Sequence, residues 1–264
     1  MVLENAGYAD VIGSGNMPYL SSLAQQYDLA KSYYADTHPS IGNYFMLTAG
    51  QIYTNDDTFN GPVSVDNVVR ELNAAGKTWK SYAESLPSVG YIAGDSYPYL
   101  HRHNPLSYYT DVVNDPNQQA NLVPFTQFAI DLAAGNLPNY SFVVPNAHDD
   151  AHDCPANMST CQLSDKLKAA DSWLQTNIAP LIANADFQKS GLLAIVFDEA
   201  QTSDVTHGGG RVAAVLISPQ LKQAYQSTTL YQHESLEHLT MQVLGVTTIP
   251  GAGATAPDMS EFIP

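Results

Sequence analysis

Apolar residues recur at three- and four-residue spacing over residues 17–27, 65–75, 123–134, 163–184 and 234–244, which predicts five amphipathic helices. Strand-like runs lie between them. The clearest is Gly191-Leu192-Leu193-Ala194-Ile195-Val196-Phe197, a continuous apolar run that ends on Asp198-Glu199. Residues 212–217 form a second, and 141–144 and 77–82 form weaker ones. Strands that are apolar on both faces need cover on both, so the pattern predicts an α/β fold, a mostly parallel central sheet with helices on either side. Loops concentrate at 55–61, 90–115 and 202–210, with no change of composition regime and no internal repeat, so a single domain over residues 1–264 is expected. The tyrosine-rich stretch 91–109 reads as a lid or substrate wall rather than a linker.

Polar clusters follow these strands. Glu4-Asn5 comes after Val2-Leu3, residues 146–153 (Asn-Ala-His-Asp-Asp-Ala-His-Asp) after 142–144, and Asp198-Glu199 after the apolar run. Ligands of open α/β sheets bind outside the carboxyl ends of strands, so three such clusters point to one site. Carboxylate and amide oxygens suit a hard divalent cation such as Ca²⁺, Mg²⁺ or Mn²⁺, and added imidazoles shift the preference toward Zn²⁺ or Fe. Each acid taken alone fits equally well as a helix cap or a solvated charge. It is their recurrence at successive strand ends that favours a metal.

Charge narrows the classes further. Ten basic residues against 26 acidic ones give −16, which repels nucleic-acid backbones and anionic membrane surfaces. No nucleic-acid partner and no stable membrane insertion are expected, and the apolar runs fall short of the roughly 18 residues that span a bilayer. Polar residues arrive at Glu4, after three apolar positions rather than four to eight, so an upstream strand half and a signal peptide are expected before this chain. The two cysteines, Cys154 and Cys161, flank a short polar loop containing Pro155, and a local disulfide is expected. That bridge would imply an oxidising compartment, secreted or periplasmic.

Two further segments carry nucleophilic or basic groups. In His38-Pro39-Ser40-Ile41-Gly42-Asn43-Tyr44, a hydroxyl heads an apolar stretch where helix amides would face an anion. Ser40 is either a nucleophile or an ordinary helix cap. No Gly-x-Ser-x-Gly elbow is present, which disfavours a conventional α/β-hydrolase. Thr206-His207-Gly208-Gly209-Gly210-Arg211 precedes a strand, whereas a phosphate-cradling glycine loop leads from a strand into a helix, so a nucleotide site is rejected there. His207 is placed beside the site by that run. His101-Arg102-His103 supplies basic groups that could hold a phosphate.

These segments resemble the phosphoesterase family, which contains bacterial and fungal acid phosphatases and phosphatidylcholine-type phospholipases C. The resemblance rests on Glu4-Asn5-x-x-Tyr8, Pro18-Tyr19-Leu20, His38-Pro39-Ser40-x-x-Asn43-Tyr44, Trp79-Lys80-x-Tyr82-x-Glu84, His103-Asn104-Pro105, Val144-Pro145-Asn146, Asp150-x-His152-Asp153, Phe197-Asp198-Glu199 and His207 to Val212, all in the family's order. It implies an alkaline-phosphatase-like fold and one divalent ion held by Glu4, Asn5, Ser40, Asp198 and Glu199. It also implies Ser40 as nucleophile, Asn43 as a phosphate-binding residue, and His152 and His207 at phosphate oxygens or the leaving group. His103, Asn146 and Asp150 are expected on the substrate. The phospholipase branch continues its Asp-Glu with Gly-Phe-x-Asp-His, and here Ala200-Gln201-Thr202-Ser203-Asp204 stands instead, which favours an acid-phosphatase-like phosphomonoesterase acting on a small phosphate ester. The alternatives are a phosphodiesterase or phospholipase C on the same scaffold, and a metal-stabilised binding protein without turnover.

Overall fold

The structure is a computed structural model that describes residues 1–264. In chain order its elements are β1 (Val2–Leu3), α1 (Tyr8–Val11), α2 (Pro18–Gln26), β2 (Asp28–Tyr33), α3 (Ile41–Ala49), α4 (Val68–Ala74), β3 (Trp79–Ala83), α5 (Thr110–Val113), α6 (Pro116–Gln119), β4 (Leu122–Pro124), α7 (Thr126–Ala133), β5 (Tyr140–Val144), α8 (Leu163–Ile182), α9 (Phe187–Ser190), β6 (Leu193–Phe197), β7 (Ala214–Ile217), β8 (Gln226–Tyr231) and α10 (His233–Val243). The chain divides into two compact units. Unit 1 comprises Met1–Ala35, Ala147–Tyr231 and Ser260–Pro264, and unit 2 comprises Asp36–Asn146 and Gln232–Met259.

Unit 1 is built on a five-stranded sheet of order β1-β6-β7-β2-β8. Its strongest strand, β6, pairs parallel with β1, Leu3 opposite Phe197. Because the two strands run in the same direction and end in register, the residues that follow them, Glu4 and Asp198, leave the sheet at the same edge. The run 212–217 gives β7, which departs from the parallel expectation by pairing antiparallel with both β6 and β2, so this sheet is mixed. Strands β2 and β8 lie outside the sequence pattern: Asp-Leu-Ala-Lys-Ser-Tyr and Gln-Ser-Thr-Thr-Leu-Tyr have too few apolar residues to declare themselves. Helix α8 begins with a capping box between Gln162 and Asp165 and buries Leu167, Ala170, Leu174 and Ile178, three and four residues apart. From the same helix Asp171 accepts the Tyr19 and Leu20 amides at 2.8 and 2.9 Å, the first free N–H groups of α2.

Unit 2 holds a three-stranded parallel sheet, β4-β3-β5. The stretch 123–134 splits here, with β4 ending at Pro124 and α7 starting at Thr126. Helix α3 is buried on nearly every side, which is why its apolar positions show no clean stripe. It ends on Gly50, whose φ of +59° is the left-handed conformation that a non-glycine residue resists. Within 91–109, expected as a lid or wall, Tyr99, Tyr108 and Tyr109 are instead core residues, while Tyr97 is 60% exposed. No helix in either unit is long and apolar enough to cross a membrane.

Candidate active site

Unit 1 gathers carboxylates around one backbone turn. Asn5 has φ +56°, a left-handed conformation that asparagine tolerates better than most residues. That geometry turns its amide N–H to Asp198 Oδ1 at 3.1 Å and its Nδ2 to Glu4 Oε2 at 2.8 Å. Asn5 therefore clamps two acids, and its own Oδ1 remains an acceptor. Glu4 and Asp198 are fully buried and Glu199 nearly so. The backbone knits the same place together, since Asp198 N–H donates to Leu3 O and Glu4 N–H to Asp150 O, at 2.9 and 2.8 Å.

The loop after residue 146 delivers Asp150 and His152. Asp150 is 1% exposed, its Oδ1 accepts the His152 amide at 2.8 Å, and Ala151 between them has φ +80°. Burial first, and then the charges of Asp198, Asp153 and Asp149, push the Asp150 carboxyl well above its ordinary range. The His152 ring is oriented by Nδ1 at 3.0 Å from Asp153 Oδ1, and its backbone oxygen accepts from Lys166 at 2.7 Å. A ring nitrogen of His152 and a carboxylate oxygen of Glu4 lie within 4.8 Å of each other, close enough to share one ion. A Cys154–Cys161 disulfide, Cα to Cα 5.6 Å, closes the far end of this loop, as the spacing suggested.

His207 also has a positive φ, +56°, and its ring tilts against Tyr34 at 4.4 Å. The glycines that follow it serve close packing. A Cβ on Gly210 would fall 2.6 Å from Ala200 Cβ and 2.7 Å from Asp204 O, beside the strand end that carries Asp198 and Glu199. Arg211 is spent on the fold, with Nε donating to Lys31 O at 2.7 Å and the guanidinium 3.9 Å above the Tyr8 ring.

Unit 2 contributes Ser40, Asn43, His103 and Asn146. Ser40 heads α3 and is 3% exposed, yet its side chain makes no capping bond to that helix. The ordinary N-cap reading thus loses its physical basis. The first helix amide, Ile41 N–H, goes to Asp57 Oδ1 at 3.2 Å instead, so Asp57 performs the capping. Asn43 Oδ1 accepts the Asp36 and Thr37 amides at 3.0 and 3.2 Å, and its Nδ2 donates to Thr37 O at 2.9 Å. Asn43 is accordingly a strut for the turn that carries Ser40, whatever else it binds. His103 is 1% exposed and stacks on Tyr44 of α3 at 5.3 Å. Asn146 is held by Glu84, which accepts its amide at 3.0 Å, and by Ser85 Oγ at 3.2 Å. Sequence reasoning passed over Asp57, treated as loop. The signal was the Asp56-Asp57 pair in the loop that follows α3.

The sequence profile described as the Phosphoesterase family matches residues 12–247. An acid phosphatase of Aspergillus fumigatus is 32% identical over 246 residues, 89% of this chain and 51% of that protein. A phosphatidylinositol-3-phosphatase of Mycobacterium tuberculosis is 34% identical over 190 residues, 70% of this chain and 61% of that one. Over the first relatives matched the chain spans about half their length, 51 to 55%. Among solved structures, a protein in the alkaline phosphatase superfamily from Vibrio parahaemolyticus superposes with a TM-score of 0.63 at 13% identity, covering 93% of this chain and 65% of that one. A sulfatase from Pseudoalteromonas gives 0.64 at 10% identity, covering 100% and 72%. At such identities the structural likeness speaks for the fold.

Proposed function

Since this chain belongs to the phosphoesterase family, we propose that it is a metal-dependent phosphomonoesterase in which Ser40 is the nucleophile. The observation that carries the reading is Ser40 itself: a buried serine at a helix start whose hydroxyl does not cap the helix, the cap being supplied by Asp57. Glu4, Asn5, Asp198 and Glu199, with Ser40, are the proposed ligands of one divalent cation. The donor set fits such an ion, because these carboxylates are buried, Asn5 holds Glu4 and Asp198 side by side, and the repulsion of Asp198 on buried Asp150 is what a cation would relieve. The ion's contribution there is to neutralise phosphoryl charge and favour the alkoxide form of the serine.

The chain's own groups do the rest. Ser40 Oγ attacks phosphorus as the bond to the ester oxygen breaks, and a water then hydrolyses the phosphoserine from the vacated side. The α3 amides next to Ser40 favour negative charge at the transferred group. Asn43 fixes the turn beneath Ser40 and is proposed to contact phosphate, together with His103 and Asn146. His152, oriented by Asp153, and His207 are proposed to move the proton to the leaving oxygen and from the attacking water. The family relatives described above carry phosphatase names, which supports monoester over diester cleavage. The disulfide supports an oxidising compartment.

The test is to acid-quench the enzyme during turnover of p-nitrophenyl phosphate and map the phosphorylated peptide. Phosphate on Ser40 is the expected result. Turnover with no phosphoenzyme, or phosphate on another residue, would overturn the assignment. Running p-nitrophenyl phosphate beside bis-p-nitrophenyl phosphate separates monoesterase from diesterase.

A further inference from the structure

Unit 2 contains buried oxygens that the proposed catalysis does not use. Glu237, on α10, is 1% exposed, and both of its carboxylate oxygens are buried without a hydrogen-bond partner. Glu234 Oε2 and Ser235 Oγ, on the same helix start, are buried and unpartnered too. Folded proteins leave few such atoms, and four on one helical turn call for a ligand. Glu234 and Glu237 are three residues apart, so they share a face of α10.

The surroundings of that face are negative. A Cβ placed on Gly50 or Gly253 would come within 2.7 or 2.3 Å of Glu237 Oε2, so the carboxyl fills a cradle that only two glycines leave open. Gly50 is the C-cap of α3, which puts Glu237 at the negative end of that helix. Burial first, then the charges of Asp66 and Glu234, push the Glu237 carboxyl well up from its ordinary range. The nearby basic side chains are committed: Arg70 pairs with Asp111 at 3.0 Å and Asp66 at 3.9 Å, and His238 Nδ1 bonds Gly253 O at 2.7 Å. Acid against acid, at a helix C-terminus, is an arrangement that a cation stabilises.

We propose that Glu237 and Glu234, with Asp66 nearby, bind a hard cation in unit 2, at a site that shares no residue with the proposed catalytic ion. The donors are oxygens throughout, which selects the calcium class over zinc or copper. An ion there ties the first turn of α10 to the end of α3, the helix that begins at Ser40, so its effect is on the rigidity of that helix rather than on bond breaking.

The experiment is a calcium titration of chelator-treated full-length protein, followed by calorimetry and by metal analysis after gel filtration, in wild type, Glu237→Gln, Gly253→Ala and Asp198→Asn. Glu237→Gln should lose one calcium equivalent, or bind it at least about tenfold more weakly, a factor worth 1.4 kcal/mol. Gly253→Ala should do the same by crowding Oε2, and provides the reading if Glu237→Gln does not fold. Asp198→Asn should keep this calcium. Unchanged calcium uptake in both unit 2 variants would overturn the proposal. So would a protonated-carboxyl infrared band in calcium-loaded wild type that vanishes in Glu237→Gln, since Glu237 would then hold a proton instead. Loss of all cation binding in Asp198→Asn alone would remove this site while leaving the catalytic reading standing.

Discussion

Replacing Ser40, the proposed nucleophile, with alanine separates chemistry from helix capping. At an ordinary N-cap the change removes a hydrogen bond to a helix amide and costs about 1 kcal/mol of stability. Ser40 makes no such bond, and Ile41 N–H is satisfied by Asp57 instead. The hydroxyl caps no helix amide, so its removal leaves the start of α3 hydrogen-bonded through Asp57 and the melting temperature should stay within a few degrees of wild type. The rate should fall by at least roughly 10³-fold, about 4 kcal/mol of transition-state stabilisation, because positioning alone does not replace a covalent step. Turnover of p-nitrophenyl phosphate per folded molecule, measured beside the melting curve, reads both quantities. Metal binding should weaken in the same variant, since a proposed ligand is gone. A Ser40→Ala protein that melts early but turns over normally would refute the reasoning at its base.

Exhaustive chelation should abolish phosphate release and a divalent ion should restore it, measured on one sample before and after dialysis; full activity without metal would count against the carboxylate set. Burial opposes ionisation of Glu261, but hydroxyls of Ser227, Tyr231, Tyr225 and Thr229 outweigh it and hold its pKa down to about 2, against 4.5 when unfolded. Its folded pKa is depressed, so its stabilising effect is present above about pH 5 and is lost as pH falls toward about 2; Glu261→Gln should flatten the melting-temperature profile in that acid window. Asp36 behaves oppositely: burial, then the charge and hydrogen bond of Glu234, outweigh the His233 amide and raise it from 3.8 to about 8. The folded state keeps a proton that the unfolded chain releases, so calcium-free protein should lose stability as pH rises from about 4 to about 8, and Asp36→Asn should remove much of that slope in thermal melts.

The parts of the fold that announced themselves in sequence are those whose local preference and final environment agree. Helix α8 carries its own capping box and an apolar stripe, and β6 is apolar on both faces because it is central. Strand β2 does not announce itself, because Asp28 and Lys31 interrupt it, and Asp28 is buried only where Tyr225 N–H, from nearly two hundred residues away, bonds its Oδ1 at 3.0 Å. Strand β8 is polar because it closes the edge of its sheet. The site shows the same division. That Glu4, Asn5, Asp198 and the 146–153 loop come together was legible because strand ends are where polar residues gather, whereas the use of Asn43 as a strut and Asp57 as a cap depends on turns that no periodicity encodes.

The acidity of the chain, −16 overall, is better understood by asking what each acid faces. Asp171 faces two helix amides, Asp111 faces Arg70, and Asp131 faces Lys80 at 2.5 Å and the Tyr82 hydroxyl at 2.7 Å. Such acids are architecture, because a donor opposite a carboxylate makes burial affordable and lowers or restrains its pKa. A second kind faces other acids: Asp150 beside Asp198, and Glu237 beside Glu234 and Asp66. Coulomb repulsion between buried like charges grows as water is excluded, so a proton or cation between them stabilises such a set, even where, as at Asp150 and Asp198, a backbone amide is also bonded. In sequence Asp171 and Asp198 are the same letter, and composition cannot tell them apart. The contacts can, and they divide a uniformly acidic chain into carboxylates that face donors and carboxylates that face other acids; a cation bound among the second kind, as proposed at Asp198, would let so negative a chain draw in a phosphate.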